Sequence, residues 1–202
     1  MADLNPLFDF TQGAIGYRLR QNRGWNEQLV KALKISRSEP GTVIDCTAGL
    51  GRDMFILASL GCQVLAFERN PIIFEQLQLA LEKASETPDF SQAAQRIKLY
   101  FGTAADYQSG ISEPIWAVYC DPMFPEREKS AAVKKEAAFL HQTVGEDADA
   151  DQLLESGLKF NPKRVVIKRS KNAPFLLELP PHHQIKSDRV RFDIYYPQNM
   201  NR

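Results

Sequence analysis

The stretch "DPMFP" at residues 121–125 follows the apolar run "IWAVYC" and precedes the charged run "EREKSAAVKKE". Proline fixes its own φ and pushes the residue before it toward extended geometry. The segment is therefore a stiff loop at a strand end, holding Asp121 and Phe124 in set directions. A second loop, "DCTAGLGRD" at residues 45–53, carries Gly49 and Gly51, which let the backbone turn tightly and approach a ligand closely, while Asp45 leaves the preceding strand toward the same space. Glu68 ends the next apolar run, 19 residues after Gly49, where an acid commonly accepts hydrogen bonds from both hydroxyls of a ribose. The chemistry suggested is the holding of an adenosine-containing ligand beside a rigid acid and an aromatic ring. Arg52 and Asp53 stand where a nicotinamide fingerprint would place its third glycine. They read equally well as ligand contacts or as a helix start, with Asp53 favoured there by the macrodipole.

These loops need strands to present them. From Thr42 onward short β-rich runs alternate with helical patterns: "TVIDCT", then "GRDMFILASLG"; "QVLAFER", then "PIIFEQLQLALEKAS"; then "RIKLYFG", "IWAVYC" and "RVVIKR", the last two separated by "KSAAVKKEAAFLHQTV" and "DADQLLESGLKF". The strands are continuously apolar, as expected when helices cover both faces of a parallel sheet. Asn70 is a good N-cap and Pro71 suits a first helical position, so the helix after the second strand starts cleanly. At the end, "HQIKS" and "RVRFDIYY" are separated by a turn too short for a parallel crossover and read as an antiparallel hairpin. The expected fold is α/β and Rossmann-like, a mainly parallel seven-stranded sheet with a C-terminal antiparallel hairpin. That is the element order of the class I S-adenosylmethionine-dependent methyltransferases. The reading takes residues 1–202 as a single domain, with residues 1–38 a basic helical lead-in within it.

Composition narrows the classes. The 202 residues are 44% hydrophobic, enough for one sizeable core, and 25 Lys plus Arg balance 25 Asp plus Glu, so a nucleic-acid surface must be a local patch. No apolar run approaches a membrane span and the N-terminus lacks the pattern of a signal peptide, which points to a cytoplasmic protein without a membrane partner. Cys46, Cys62 and Cys120 form no C-x-x-C pair and read as small buried hydrophobes. His141, His182 and His183 lack ligand spacing, so no metal is expected.

A glycine loop with an acid at the second strand suits either NAD or S-adenosylmethionine. No histidine or tyrosine stands at a convincing strand end for hydride chemistry, whereas Asp121-Pro-Met-Phe-Pro resembles the [D/N/S]-P-P-[Y/F/W] loop of enzymes that methylate exocyclic amino groups. Taken together, "DCTAGLGRD", "LASLGCQVLAFERNP", "DPMFPEREKSAAVKKE", "VGEDADADQLL", "KRVVIKR" and "RFDIYY", in that order, resemble the ribosomal RNA small subunit methyltransferase J family, from about Phe8 to Tyr196. Members of that family usually carry a further N-terminal segment ahead of the matching part.

The resemblance implies transfer of a methyl group from S-adenosylmethionine to the N2 amino group of a guanosine in 16S rRNA, presented as small-subunit rRNA or a ribosomal particle. It implies cofactor contacts at Gly49, Arg52, Asp53, Glu68, Arg69, Thr103, Ala104 and Asp121, with Asp106 a plausible neighbour of the adenine amino group. Catalysis falls to Asp121 and the Pro122 carbonyl, which can accept the two N–H hydrogens of the amine, and to Phe124, which offers a face for the base to stack on. The basic groups Arg18, Arg20, Arg23, Lys31, Lys34 and Arg37, then Lys129, Lys134 and Lys135, then Lys163, Arg164, Lys168, Arg169 and Lys171, are expected to converge on the carboxyl edge of the sheet as phosphate contacts. Arg18, Arg20, Arg23, Lys134, Lys135 and Lys168 are the foremost of these. Alternative readings are an adenine-N6 or amide-nitrogen methyltransferase using the same loop, or a non-catalytic RNA-binding protein.

Overall fold

The computed structural model describes residues 9–13, 16–17, 23–122 and 150–199. Seven strands form one sheet: β1 (Thr42–Asp45), β2 (Gln63–Glu68), β3 (Ile97–Phe101), β4 (Ala117–Cys120), β5 (Arg164–Ser170), β6 (His183–Lys186) and β7 (Val190–Tyr195), in the order β3-β2-β1-β4-β5-β7-β6. The first five are parallel to one another, and β7 lies antiparallel between β5 and β6. The fold read from the element order is the fold found, hairpin included. The strand order reverses beside β1, which pairs with β2 on one side and β4 on the other, and that is where an open α/β sheet splays its carboxyl ends into a crevice.

Why the strands are continuously apolar follows from the period of two. Val43 of β1, Val64 and Ala66 of β2, and Ala117 and Tyr119 of β4 point into one core; Ile44, Leu65, Phe67, Val118 and Cys120 point into the other. The first core is covered by α1 (Gln28–Leu33), α2 (Arg52–Ser59), α3 (Pro71–Glu86) and α4 (Pro88–Gln95), the second by α5 (Ala150–Lys159) and the 3-10 turns Ala104–Gly110 and Leu176–Glu178. Phe55 of α2 stacks on Phe10 at 4.4 Å between ring centroids and is fully buried, a contribution of about 1.5–3 kcal/mol. Gly157 lets α5 lie close on the sheet, because a Cβ there would stand 3.1 Å from a Val165 methyl and 3.2 Å from one of Val118.

The cap read at Asn70 is present: its side chain accepts from the Ile72 and Ile73 N–H groups, with Pro71 opening α3. Ile73, Leu77, Ala80 and Ala84 then form its buried face. Helix α4 was not read from the sequence. Pro88 cannot continue α3, so the chain breaks at Thr87 and restarts, and Phe90, Ala93 and Ala94 enter the core that α2 lines. The stretch read as β4 from residue 115 begins at Ala117; Trp116 just before it donates its backbone N–H to the Thr42 carbonyl and its Nε1–H to the Leu33 carbonyl at 2.9 Å. All three cysteines are buried and free. The helical stretch read at residues 129–144 lies outside the described residues. Among the described residues no helix is long and apolar enough to cross a membrane.

Candidate active site

Strand β1 ends in Asp45, 1% exposed, whose carboxylate accepts the Thr47 N–H at 3.1 Å. Gly49 and Gly51 follow with φ of 51° and 71°, the left-handed region, and Gly51 caps α2. A Cβ on Gly51 would also stand 2.7 Å from side-chain carbons of Leu77, Met54 and Phe10, whereas at Gly49 the nearest atom is the Thr47 carbonyl oxygen at 3.7 Å. Both positions share the backbone strain of alanine, and only Gly51 adds a clash. Gly51→Ala is therefore expected to lower the unfolding free energy by about 1 to 2 kcal/mol more than Gly49→Ala. Equal losses in urea unfolding would show that the turn alone sets the requirement.

Glu68 is 6% exposed and joins two loops: one carboxylate oxygen accepts the Gly49 N–H at 2.9 Å and the other accepts the Asn70 N–H at 2.8 Å. Burial raises its pKa, opposed by those two backbone donors and by Arg69. Arg52 and Arg69 are exposed on the rim. After β3, Gly102 at φ 118° donates its N–H to the Glu68 carbonyl, and the chain enters the turn Ala104–Gly110 through Thr103. Asp106, expected near the adenine, is exposed, and one of its two carboxylate oxygens is taken up by the turn itself. Its Oδ2 accepts both the Thr103 N–H (2.8 Å) and the Thr103 hydroxyl (2.7 Å), a capping box that lowers its pKa and that the T-x-x-D spacing could have announced. Ala104 is 3% exposed with its methyl in the core, so only its backbone can meet a ligand.

Beyond β4, Asp121 is tied at both ends. Its N–H donates to the Thr47 hydroxyl at 2.6 Å, and its Oδ2 lies 2.6 Å from the Lys168 ammonium at the carboxyl end of β5. The same ammonium is 3.8 Å from Asp53 Oδ2, which accepts the Tyr119 hydroxyl at 2.6 Å. Burial would depress the Lys168 pKa, but the Asp121 and Asp53 carboxylates outweigh it and hold the pKa above its usual value. Asp45 is pushed up to about 8, first by burial and then by the like charges of Asp53, Asp121 and Glu68, so it is mostly protonated at neutral pH. Pro122 is buried beside Asp121; Phe124 lies outside the described residues. Thr47, Tyr119 and the inward turn of Lys168 were not read from the sequence.

Of the three basic groups expected to converge on this edge, the third is split between the two ends of β5. Lys163 and Arg164 sit at the amino end of β5, where Lys163 N–H donates to the Trp116 carbonyl and Arg164 Nη1 donates to the Ala32 carbonyl at 3.1 Å. The end of α1, with Lys34, is thereby held at the amino edge, and Gly24 of the turn Arg23–Asn26 packs on Ile56 and Leu60 toward the same side. Arg169 is 4% exposed and donates to the Pro174 carbonyl, so it is no phosphate contact. Strand β5 carries basic residues at both ends, and only one end faces the crevice. Arg18, Arg20, Lys129, Lys134 and Lys135 lie outside the described residues.

What can this rim hold? Asp45, Asp53, Glu68 and Asp121 face one another across it, with Lys168 against Asp121 and Asp53 and Arg69 beside Glu68. A dinucleotide would set its pyrophosphate at the start of α2, where Asp53 already stands, and the like charges oppose it. A sulfonium and an ammonium suit the carboxylates, and a ribose diol suits Glu68. The donor set therefore fits S-adenosylmethionine. Among the described residues no group of three or more His, Cys, Asp or Glu side chains is arranged to hold a metal ion.

The family described as "Putative SAM-dependent methyltransferase" matches residues 4–197. The chain is 43% identical over 189 residues to the ribosomal RNA small subunit methyltransferase J of Thioalkalivibrio sulfidiphilus (93% of this chain, 74% of the relative). It is 43% identical over 195 residues to the protein of that name from Pseudoalteromonas atlantica (94% and 76%). A crystal structure of a SAM-dependent methyltransferase from Neisseria gonorrhoeae superposes with a TM-score of 0.74 at 33% identity, covering 98% of this chain and 78% of the other. With the strand order, the two glycine-turned loops and the acid-lined rim, these likenesses lead to one conclusion: the chain belongs to the ribosomal RNA small subunit methyltransferase J family of S-adenosylmethionine-dependent methyltransferases.

Proposed function

We propose that the protein methylates the N2 amino group of a guanosine in small-subunit rRNA. The observation that carries this reading is Asp121, held at the carboxyl end of β4 by Thr47 and Lys168 and followed directly by Pro122. S-adenosylmethionine, when bound, supplies an electrophilic methyl group. Glu68 would hold its ribose, while the backbone of residues 49–53, Arg69 and the backbone at Thr103 and Ala104 would complete its surroundings. The chain's task is to prepare the acceptor. A guanine N2 lone pair is delocalised into the ring, so the amine must be held with that lone pair directed at the methyl group. Asp121 and the Pro122 carbonyl would accept its two N–H hydrogens, and Phe124 would stack on the base at roughly 1–3 kcal/mol. Most of the acceleration then comes from positioning.

The names of the relatives support rRNA as the acceptor, and a phosphate-rich substrate needs cations around the site. Arg18, Arg20, Arg23, Lys134 and Lys135 are proposed for that role. The test is transfer of labelled methyl groups to rRNA and to small-subunit particles from a strain lacking this gene, with the modified nucleoside identified by mass spectrometry. N2-methylguanosine in the small-subunit rRNA is the expected product. N6-methyladenosine, or incorporation only into protein, would overturn the substrate reading.

A further inference from the structure

Lys168 was expected on the RNA surface, yet its ammonium is turned inward. Cys120 of β4 pairs with Ile167 of β5, so Asp121 and Lys168 are level on neighbouring strand ends, and the Lys168 side chain, 29% exposed, closes on Asp121 at 2.6 Å. We propose that Lys168 is a positioning residue for the methyl-accepting loop: it fixes the Asp121 carboxylate at the crevice and keeps it ionised, so that Asp121 meets the incoming amine as a hydrogen-bond acceptor. The proposal rests on the guanine-amine reading above.

The surroundings explain why such a cation is needed. Among the described residues Asp121 is faced by Asp45 from β1, Asp53 from α2 and Tyr119 and Cys120 from its own strand, with Glu68 of β2 also facing Asp45. Tyr119 donates its hydroxyl to Asp53 and supplies no positive charge. Carboxylates gathered in this way hold protons more tightly than isolated ones, and a protonated Asp121 would donate a hydrogen where the amine requires an acceptor. Lys168 opposes that by charge and, through its contact with Oδ2, sets the direction of the carboxylate. A lysine serving RNA phosphates would instead extend its ammonium into solvent.

The experiment uses the full chain and the variants Lys168→Met, Lys168→Gln and Lys168→Arg, each checked for an unchanged melting transition. The carboxyl carbon resonance of Asp121 is followed through a pH titration without cofactor, and single-turnover methyl transfer to rRNA is followed through the same range with both substrates saturating. In Lys168→Met and Lys168→Gln the Asp121 midpoint and the acid limb of the rate profile are expected to rise together by about 1 to 3 pH units. Lys168→Arg should return both toward the wild-type position, and the salt dependence of RNA binding should stay as in the wild type. An unmoved Asp121 midpoint overturns the proposal. So does an unmoved acid limb accompanied by a salt slope smaller by about one, which would make Lys168 a phosphate contact. If the wild-type protein transfers nothing to rRNA, the substrate reading fails, and the titration still decides the role of Lys168.

Discussion

Asp121→Ala is expected to cost roughly 100-fold to 10,000-fold in methyl transfer at saturating cofactor and RNA, the span for a positioned proton-accepting group. The fold should survive the change. The loop's anchor to Thr47 is made by the Asp121 backbone N–H, which alanine keeps, and the side chain is 35% exposed, so no buried cavity is opened. Lys168 loses its nearer partner but keeps Asp53 at 3.8 Å. Asp121 also adds to the negative potential of the rim, so cofactor affinity is expected to fall modestly, and the rate loss must persist once binding is saturated. Single-turnover rates under those conditions are the measurement. Near-normal transfer would remove residues 121–125 from the mechanism.

Glu68→Ala is expected to weaken S-adenosylmethionine binding by about 1.5 to 3 kcal/mol, the range for hydrogen bonds to a charged group. The structure adds a second consequence. The Glu68 carboxylate also accepts the Gly49 and Asn70 N–H groups, so alanine takes an acceptor from both the glycine loop and the start of α3. The melting temperature should therefore fall together with affinity. Glu68→Gln keeps the size but sets an NH2 group against one of those donors, so it should not restore binding. Because burial raises the Glu68 pKa and the ionised form is the acceptor, wild-type affinity should begin to fall, as pH decreases, at a higher pH than an ordinary glutamate would give. Calorimetry across that range checks both points, and unchanged affinity in Glu68→Ala would remove Glu68 from the cofactor site.

The sequence by itself determined the seven strands, the helix after each of the first two and the order of their joining. Runs such as "TVID" and "QVLAFE" bury both faces of a strand, Asn70-Pro71 starts a helix, and the short turn before β7 forces a hairpin; each of these signals acts within a few residues. Local chemistry of the same kind put Asp45, Glu68 and Asp121 at strand ends, where each apolar run stops. The tertiary structure alone decided what those acids meet. The pairing of Lys168 with Asp121 spans 47 residues and depends on the register between β4 and β5, which is set by side chains packing across the sheet. Which end of "KRVVIKR" faces the crevice depends on the direction of β5, and this sends Lys163 and Arg164 to the far edge while Lys168 reaches the site. Neighbouring strand residues point to opposite faces, so Arg169 turns inward to the Pro174 carbonyl. Periodicity and capping are short-range and can be read along a chain; register, strand direction and facing carboxylates come from contacts between segments distant in sequence, which exist only once the sheet has closed.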